Sequence, residues 1–229
     1  MNKDIIIKFN NLSRVYRSGG EKVYALNDVT DVIPREQLTI LRGPSGSGKT
    51  TLINILGGLD RPTSGNVFFN GLDITEKSTG ALDEFRRLKV GFIFQSIALM
   101  STMTAYENVE FGLRIAGIPY REQKERIIES LSIVGLEPRM KHRTHELSGG
   151  EQQRVAIARA ISHKPEIILA DEPTAELDTH TGLQVVRLFK KVISEQGTTI
   201  IMATHDPNMI EIGDKVITLE DGKIITDFQ

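Results

Sequence analysis

The sequence has no cysteine, no apolar run approaching a membrane span and no excess of either charge. Without cysteine there is no disulfide framework, no thiolate metal site and no thiol nucleophile, which suits a reducing compartment. A spanning helix needs about 18 or more consecutive apolar residues. The opening stretch, Met1 to Lys8, has no apolar core long enough for a secretory signal. A soluble chain is therefore expected, with any membrane role supplied by a partner. The 28 basic residues stand against 30 acidic ones, a net charge of −2. That balance argues against binding nucleic acid or a membrane surface by bulk electrostatics. Heptad runs and basic stretches are also missing, and no nucleic-acid partner is expected. At 229 residues the length suits one large α/β domain, with room for a subdomain.

What is present is concentrated in Gly43-Pro44-Ser45-Gly46-Ser47-Gly48-Lys49-Thr50. The stretch fits G-x-x-x-x-G-K-[ST], a loop whose backbone N–H groups form a concave anion site. Lys49 can reach the β- and γ-phosphates of a nucleotide, and the Thr50 hydroxyl can ligate Mg²⁺. A β-prone run, Leu38 to Leu41, precedes the loop, and a helix start from Thr51 follows it, its dipole favouring phosphate.

Strands are expected at Ile5–Phe9 and Val23–Leu26, either side of a Ser18-Gly19-Gly20 turn. Tyr16, just before that turn, reads first as an ordinary strand aromatic, with stacking on a purine as the alternative. A loop over Gly57–Gly65 leads to Val67–Phe69 and an Asn70-Gly71 turn. Val90–Phe94 reads as a buried strand ending at Gln95, whose amide can serve a metal or water or merely cap the strand.

From Ser96 to His145 strand signals vanish, and Tyr106–Ala116 and Arg121–Val134 have helical spacing. Within this segment the Met-rich stretch Ile97–Met103 can dock a partner helix or pack its own subdomain. Ser148 is a natural N-cap, and Gly149 and Gly150 leave N–H groups open to an anion at the start of a helix through Ser162. This second phosphate site either closes on the same nucleotide or serves the nucleotide of a second copy. Glu166–Ala170 is an apolar strand ending in Asp171-Glu172, at the edge where ligands of parallel sheets gather. Alternating side-chain directions let one carboxylate hold Mg²⁺ while the other polarises water. His205, ending the strand Thr198–Thr204, can meet a γ-phosphate or simply face solvent. Val216–Leu219 and Lys223–Ile225 around Asp221-Gly222 read as a closing hairpin.

In this order the motifs resemble the ATP-binding-cassette ATPases, the nucleotide-binding subunits of ABC transporters, from about Tyr16 to Gly222. Leu147-Ser148-Gly149-Gly150-Glu151 is similar to that family's signature motif. The resemblance implies an α/β P-loop NTPase fold over 1–229. In it, 1–95 and 159–229 form a RecA-like core with an N-terminal antiparallel β subdomain, and 96–158 forms an inserted α-helical subdomain ending in the signature helix. It also implies roles. Tyr16 stacks on adenine. Gly43, Ser45, Gly46, Ser47, Gly48, Lys49, Thr50 and Thr51 hold the phosphates. Gln95 senses Mg²⁺ and links to the permease, and Thr50 and Asp171 share the metal. Glu172 positions the attacking water and His205 the γ-phosphate. Ser148, Gly149 and Gly150 reach the ATP of the opposite subunit, as does the loop holding Asp178.

The expected cofactors are thus ATP and Mg²⁺. The expected partners are a second ATPase subunit and a membrane permease docked near Gln95 and Ile97–Met103, which places the chain peripherally on the cytoplasmic side of the membrane. The loop Ala175-Glu176-Leu177-Asp178 departs from the family in its acidic Glu176. The phrases Leu56–Gly65 and Gly91–Gln95 resemble the ATPases of lipoprotein-release, macrolide-export and antimicrobial-peptide-resistance systems. Regulation of a cell-division-type membrane complex, or action on DNA or ribosomes, are the other roles such a cassette takes.

Overall fold

The computed structural model describes residues 4–225. Two long strands open the chain, β1 (Ile5–Ser18) and β2 (Glu21–Pro34), paired antiparallel with several register shifts. They extend well beyond the short strands expected from their apolar segments, because the polar residues between those segments face solvent along an otherwise continuous ladder. Next come β3 (Leu38–Arg42), α1 (Lys49–Leu56), β4 (Ser64–Phe69) and β5 (Leu72–Asp73), the last two joined by Asn70-Gly71. Both turn residues have positive φ, 52° and 77°, the geometry that matches a tight hairpin to strand twist.

Helix α2 (Thr79–Lys89) leads into β6 (Val90–Ile93). The three helices α3 (Ala105–Ile115), α4 (Tyr120–Ile133) and α5 (Gly149–Ile161) follow, then β7 (Ile167–Asp171), α6 (Thr179–Gln196) and β8 (Thr199–Thr204). A single turn, α7 (Pro207–Ile210), and the hairpin β9 (Lys215–Glu220) and β10 (Lys223–Ile225) complete the described chain.

The strands form two sheets. One is antiparallel, in the order β2-β1-β4-β5. The other runs β10-β9-β3-β8-β7-β6, parallel throughout except for the edge strand β10. Both faces of its central strands are covered, which is why β3, β6, β7 and β8 are buried at nearly every position, whereas β9 and β10 at one edge are partly exposed. Leu38, Ile40, Ile168, Ala170, Ile200 and Met202 lie in one core cluster with α5 and α6, behind which α3 and α4 pack. The alternate residues Leu41, Ile167, Leu169, Ile201 and Ala203 face α1 and the antiparallel sheet. Among the described residues no helix is long and apolar enough to cross a membrane.

Three features differ from expectation. Helix α2, not expected from the sequence, carries Leu82, Phe85 and Leu88 at helical spacing; Leu82 is buried, Phe85 packs partly against the core and Ser78 caps the start. Helix α6 has clear signals that the sequence reading passed over: an Asp178 cap, Val185, Val186, Phe189 and Val192 on one face, and Gly197 at φ 66° to end it. Strand β6 stops at Ile93, and Phe94 is 41% exposed rather than buried, its ring stacked parallel to that of Phe92.

Candidate nucleotide site

The loop between β3 and α1 lies at the carboxyl edge of the parallel sheet. Two of its glycines are dictated by neighbouring backbone. A Cβ on Gly43 would lie 2.1 Å from the Leu219 carbonyl oxygen, and one on Gly48 would lie 2.3 Å from that of Ala25. Gly48 also adopts φ 105°, which L side chains rarely take. The β9–β10 turn supports the loop from behind, the Gly222 N–H donating to the Ser47 carbonyl at 3.1 Å. Ser45, Gly46 and Thr50 are exposed, Thr51 is partly covered, and Ser47 is buried with its hydroxyl unpartnered.

Lys49 is buried, and its ammonium donates to the carbonyls of Gly43 and Pro44 at 2.8 and 3.0 Å. Its Nζ also lies 3.7 Å from the Glu172 carboxylate. The strand order brings these groups together. Strand β8 separates β3 from β7, with Arg42 opposite Thr204 and Asp171 opposite Ala203. Lys49, Asp171, Glu172 and His205 consequently share one end of the sheet. His205 Nδ1 is 3.3 Å from Glu172, its side chain mostly exposed.

Asp171 and Glu172 do not simply alternate across a strand, as expected. Glu172 turns out of β7 with φ 45° and donates its N–H to the Ala203 carbonyl at 3.1 Å. Its side chain thereby joins Lys49 and His205. Burial raises the Asp171 carboxyl above its ordinary range, and the adjacent Glu172 adds to this; Thr50 and Lys49 oppose it. One Asp171 oxygen is buried without a partner. Because β6 and β7 run parallel with Ile93 opposite Ala170, Gln95 sits just past the strand end at this same edge, exposed.

This arrangement fits Mg²⁺. An unpartnered buried carboxylate oxygen beside a hydroxyl suits a hard cation that takes few protein ligands and completes its shell with phosphate and water. Among the described residues no three His, Cys, Asp or Glu side chains group as metal ligands.

Tyr16 is 40% exposed on β1, its hydroxyl donating to Asp60 at 2.8 Å. Asp60 was missed in the sequence, where the phrase around it served only as a mark of resemblance. Ser148 caps α5 in a reciprocal box with Glu151, with distances of 3.3 and 2.9 Å. Asp178 caps α6 through Thr181, and those hydrogen bonds hold its carboxyl below the usual range. The two caps are neighbours, since a Cβ on Gly150 would meet the Thr181 methyl at 2.7 Å. Among the described residues no hydrogen bond or ion pair joins Ser148, Gly149 or Gly150 to the phosphate loop. In the Ile97–Met103 stretch, Leu99 packs on the core, and the Asn108 amide holds the Met100 carbonyl.

A glycine loop on a parallel strand, a lysine within it and a carboxylate pair two strands away define a P-loop nucleotide-hydrolysing fold. The model of the ABC transporter family matches residues 26–175. The chain is 46% identical over 92% of its length to an ABC transporter ATP-binding protein of Thermotoga maritima, covering 90% of that protein. It is 44% identical over 98% of its length to the macrolide export ATP-binding/permease protein MacB of Vibrio parahaemolyticus, of which it spans only 34%. The solved dimeric structure of MJ0796, an ABC transporter cassette, superposes with a TM-score of 0.88 at 40% identity, covering 96% of this chain and 97% of that one. MJ0796, from Methanocaldococcus jannaschii, has also been solved as a dimer in a post-hydrolysis state with ADP and Pi. The chain belongs to the ABC transporter family. It is an ATP-binding-cassette ATPase that uses ATP with Mg²⁺.

Proposed function

We propose that this chain dimerises on ATP binding and powers a separate membrane permease that exports or extracts a peptide, lipoprotein or drug-like substrate. The observation that carries the reading is the split between its two phosphate-binding elements. Lys49, Asp171, Glu172 and His205 share one end of the parallel sheet, whereas Gly149 and Gly150 start α5, Gly150 beside Thr181, with no hydrogen bond to the phosphate loop among the described residues. A second copy, facing the first head to tail, supplies the missing donors.

In this reading Tyr16 stacks on adenine, and the Gly43–Thr51 backbone and Lys49 hold the phosphates. Thr50, Asp171 and Gln95 would hold Mg²⁺, which would supply positive charge against the phosphoryl oxygens. Glu172 orients the attacking water, and His205, beside it, donates to the γ-phosphoryl group as charge builds there. Ser148, Gly149, Gly150 and the loop ending at Asp178 reach across to the partner's nucleotide. In this reading 1–95 and 159–229 form the core and 96–158 the helical part, and hydrolysis reopens the dimer and moves whatever is docked near Gln95. The permease docks near Gln95 and Ile97–Met103. Supporting this, a groove of about 260 Å³ beside Gln95 is lined by Phe94, Phe111 and Ile115, two of them well exposed.

Glu172→Gln tests the assignment. It should retain ATP binding, lower turnover by a factor of about 10² or more, and accumulate an ATP-bound dimer by light scattering. Turnover at the parental rate would remove Glu172 from the chemistry.

A further inference from the structure

The loop after α1 does more than connect it to β4. Asp60 follows the helix by four residues and is tied back to it, its N–H donating to the Asn54 carbonyl at 3.2 Å. The Asp60 carboxylate accepts four hydrogen bonds. Oδ1 takes the Arg61 N–H at 2.8 Å and Arg14 Nη2 at 2.9 Å; Oδ2 takes Arg14 Nε at 2.9 Å and the Tyr16 hydroxyl at 2.8 Å. The Arg14 guanidinium also lies over the Tyr16 ring, 4.5 Å from its centroid. One ring face is therefore covered by a cation and the hydroxyl is fixed, leaving the other face and edge to account for the residue's exposure. Two further bonds fasten the loop to β1, Thr63 N–H to the Ser13 carbonyl at 2.7 Å and Val15 N–H to Thr63 Oγ1 at 3.0 Å.

We infer that Arg14 and Asp60 are positioning residues for the nucleotide base, locking the Tyr16 ring and fastening it to the far end of the helix that binds the phosphates. The inference rests on the proposed stacking of Tyr16 on adenine. An isolated surface ion pair would do no more than add slightly to stability. This one instead converges, with every acceptor position used, on the aromatic proposed to stack on the base. Helix α1 spans eight residues, about 12 Å, so it acts as a rigid spacer between the phosphate loop at one end and the base platform at the other. A platform fixed before binding loses less entropy when the base arrives.

The test compares ATP with inorganic tripolyphosphate, which carries the phosphates and no base, each displacing a fluorescent ATP analogue from the whole protein. Arg14→Gln and Asp60→Asn should each weaken ATP binding about three- to tenfold and leave tripolyphosphate within about twofold. Arg14→Lys should restore part of the loss by returning the cation. Tyr16→Phe, which keeps the ring and removes the tether, should weaken ATP, and combining it with Asp60→Asn should add little more. Parental ATP affinity in both Arg14→Gln and Asp60→Asn would overturn the inference, as would an equal loss for tripolyphosphate. Tyr16→Ala separates the two layers. If it retains the preference for ATP over tripolyphosphate, the stacking reading fails and the inference falls with it. If it loses that preference while the Arg14 and Asp60 variants keep theirs, only the positioning role fails.

Discussion

At the scale of single residues, the site holds two unfavourable terms side by side. Glu172 sits at φ 45°, a conformation costing an ordinary residue on the order of 1–3 kcal/mol. Beside it the Asp171 carboxyl is raised by burial and by Glu172, with Lys49 as the nearest opposing charge. A carboxyl raised in the folded state favours folding below its unfolded value, and that advantage is lost as pH rises through the raised one. Asp171→Asn should therefore stabilise the nucleotide-free protein at pH 8 and lose this benefit at acidic pH. A gain of about 1 kcal/mol would raise Tm by roughly 2–4 °C in a chain of this size. The same variant should abolish Mg²⁺-dependent turnover. Thermal unfolding at pH 5 and pH 8 checks the first part, and an unchanged or lowered Tm at pH 8 would contradict it. Lys49, Thr50 and Asp171 were legible because their motifs are local. The contact between Glu172 and His205 was not, because it depends on β7 and β8 being neighbours.

At the scale of elements, two helices begin with the same device. Thr104 and Glu107 form a reciprocal capping box at the start of α3, as Ser148 and Glu151 do at α5. Losing such a cap costs about 1 kcal/mol. Thr104→Ala and Ser148→Ala should thus lower stability by similar amounts. Only Ser148→Ala should also lower kcat, several-fold, because only that helix start is assigned to a nucleotide. Equal kcat in the two variants, measured below their Tm, would reduce Ser148 to a helix cap. Elements with strong periodicity or glycine punctuation, such as α3, α4 and the β9–β10 hairpin, were readable within a residue or two. Helix α2 carries a comparable trace, Leu82, Phe85 and Leu88 at helical spacing behind a Ser78 cap, so it was readable as well although no helix was expected there.

At the scale of the whole molecule, the decisive quantity is how many chains make a working site. A catalytic set divided between two copies requires specific ATPase activity to rise with protein concentration, toward second-order dependence when dilute. Glu172→Gln mixed in excess with parental protein should poison it, because mixed dimers trap nucleotide. Activity proportional to concentration across the dimerisation range would show that one chain suffices. The groove between Phe94 and Ile115, proposed above as part of the permease contact, belongs to this scale as well, with both of these side chains exposed.

By itself the sequence determined the phosphate loop, the apolar strands and the signature helix, all set by short-range spacing and backbone conformation. It also determined that the central strands β3, β7 and β8 are buried on both faces, because none of these three has an exposed polar face. Only the tertiary structure decided which strands are neighbours, that Glu172 leaves its strand to meet Lys49 and His205, and that the loop at Asp60 reaches back to Tyr16. Those depend on contacts between residues 33 to 123 positions apart in the chain. Local pattern does not encode such pairings; they follow from how the two apolar faces of the sheet are covered.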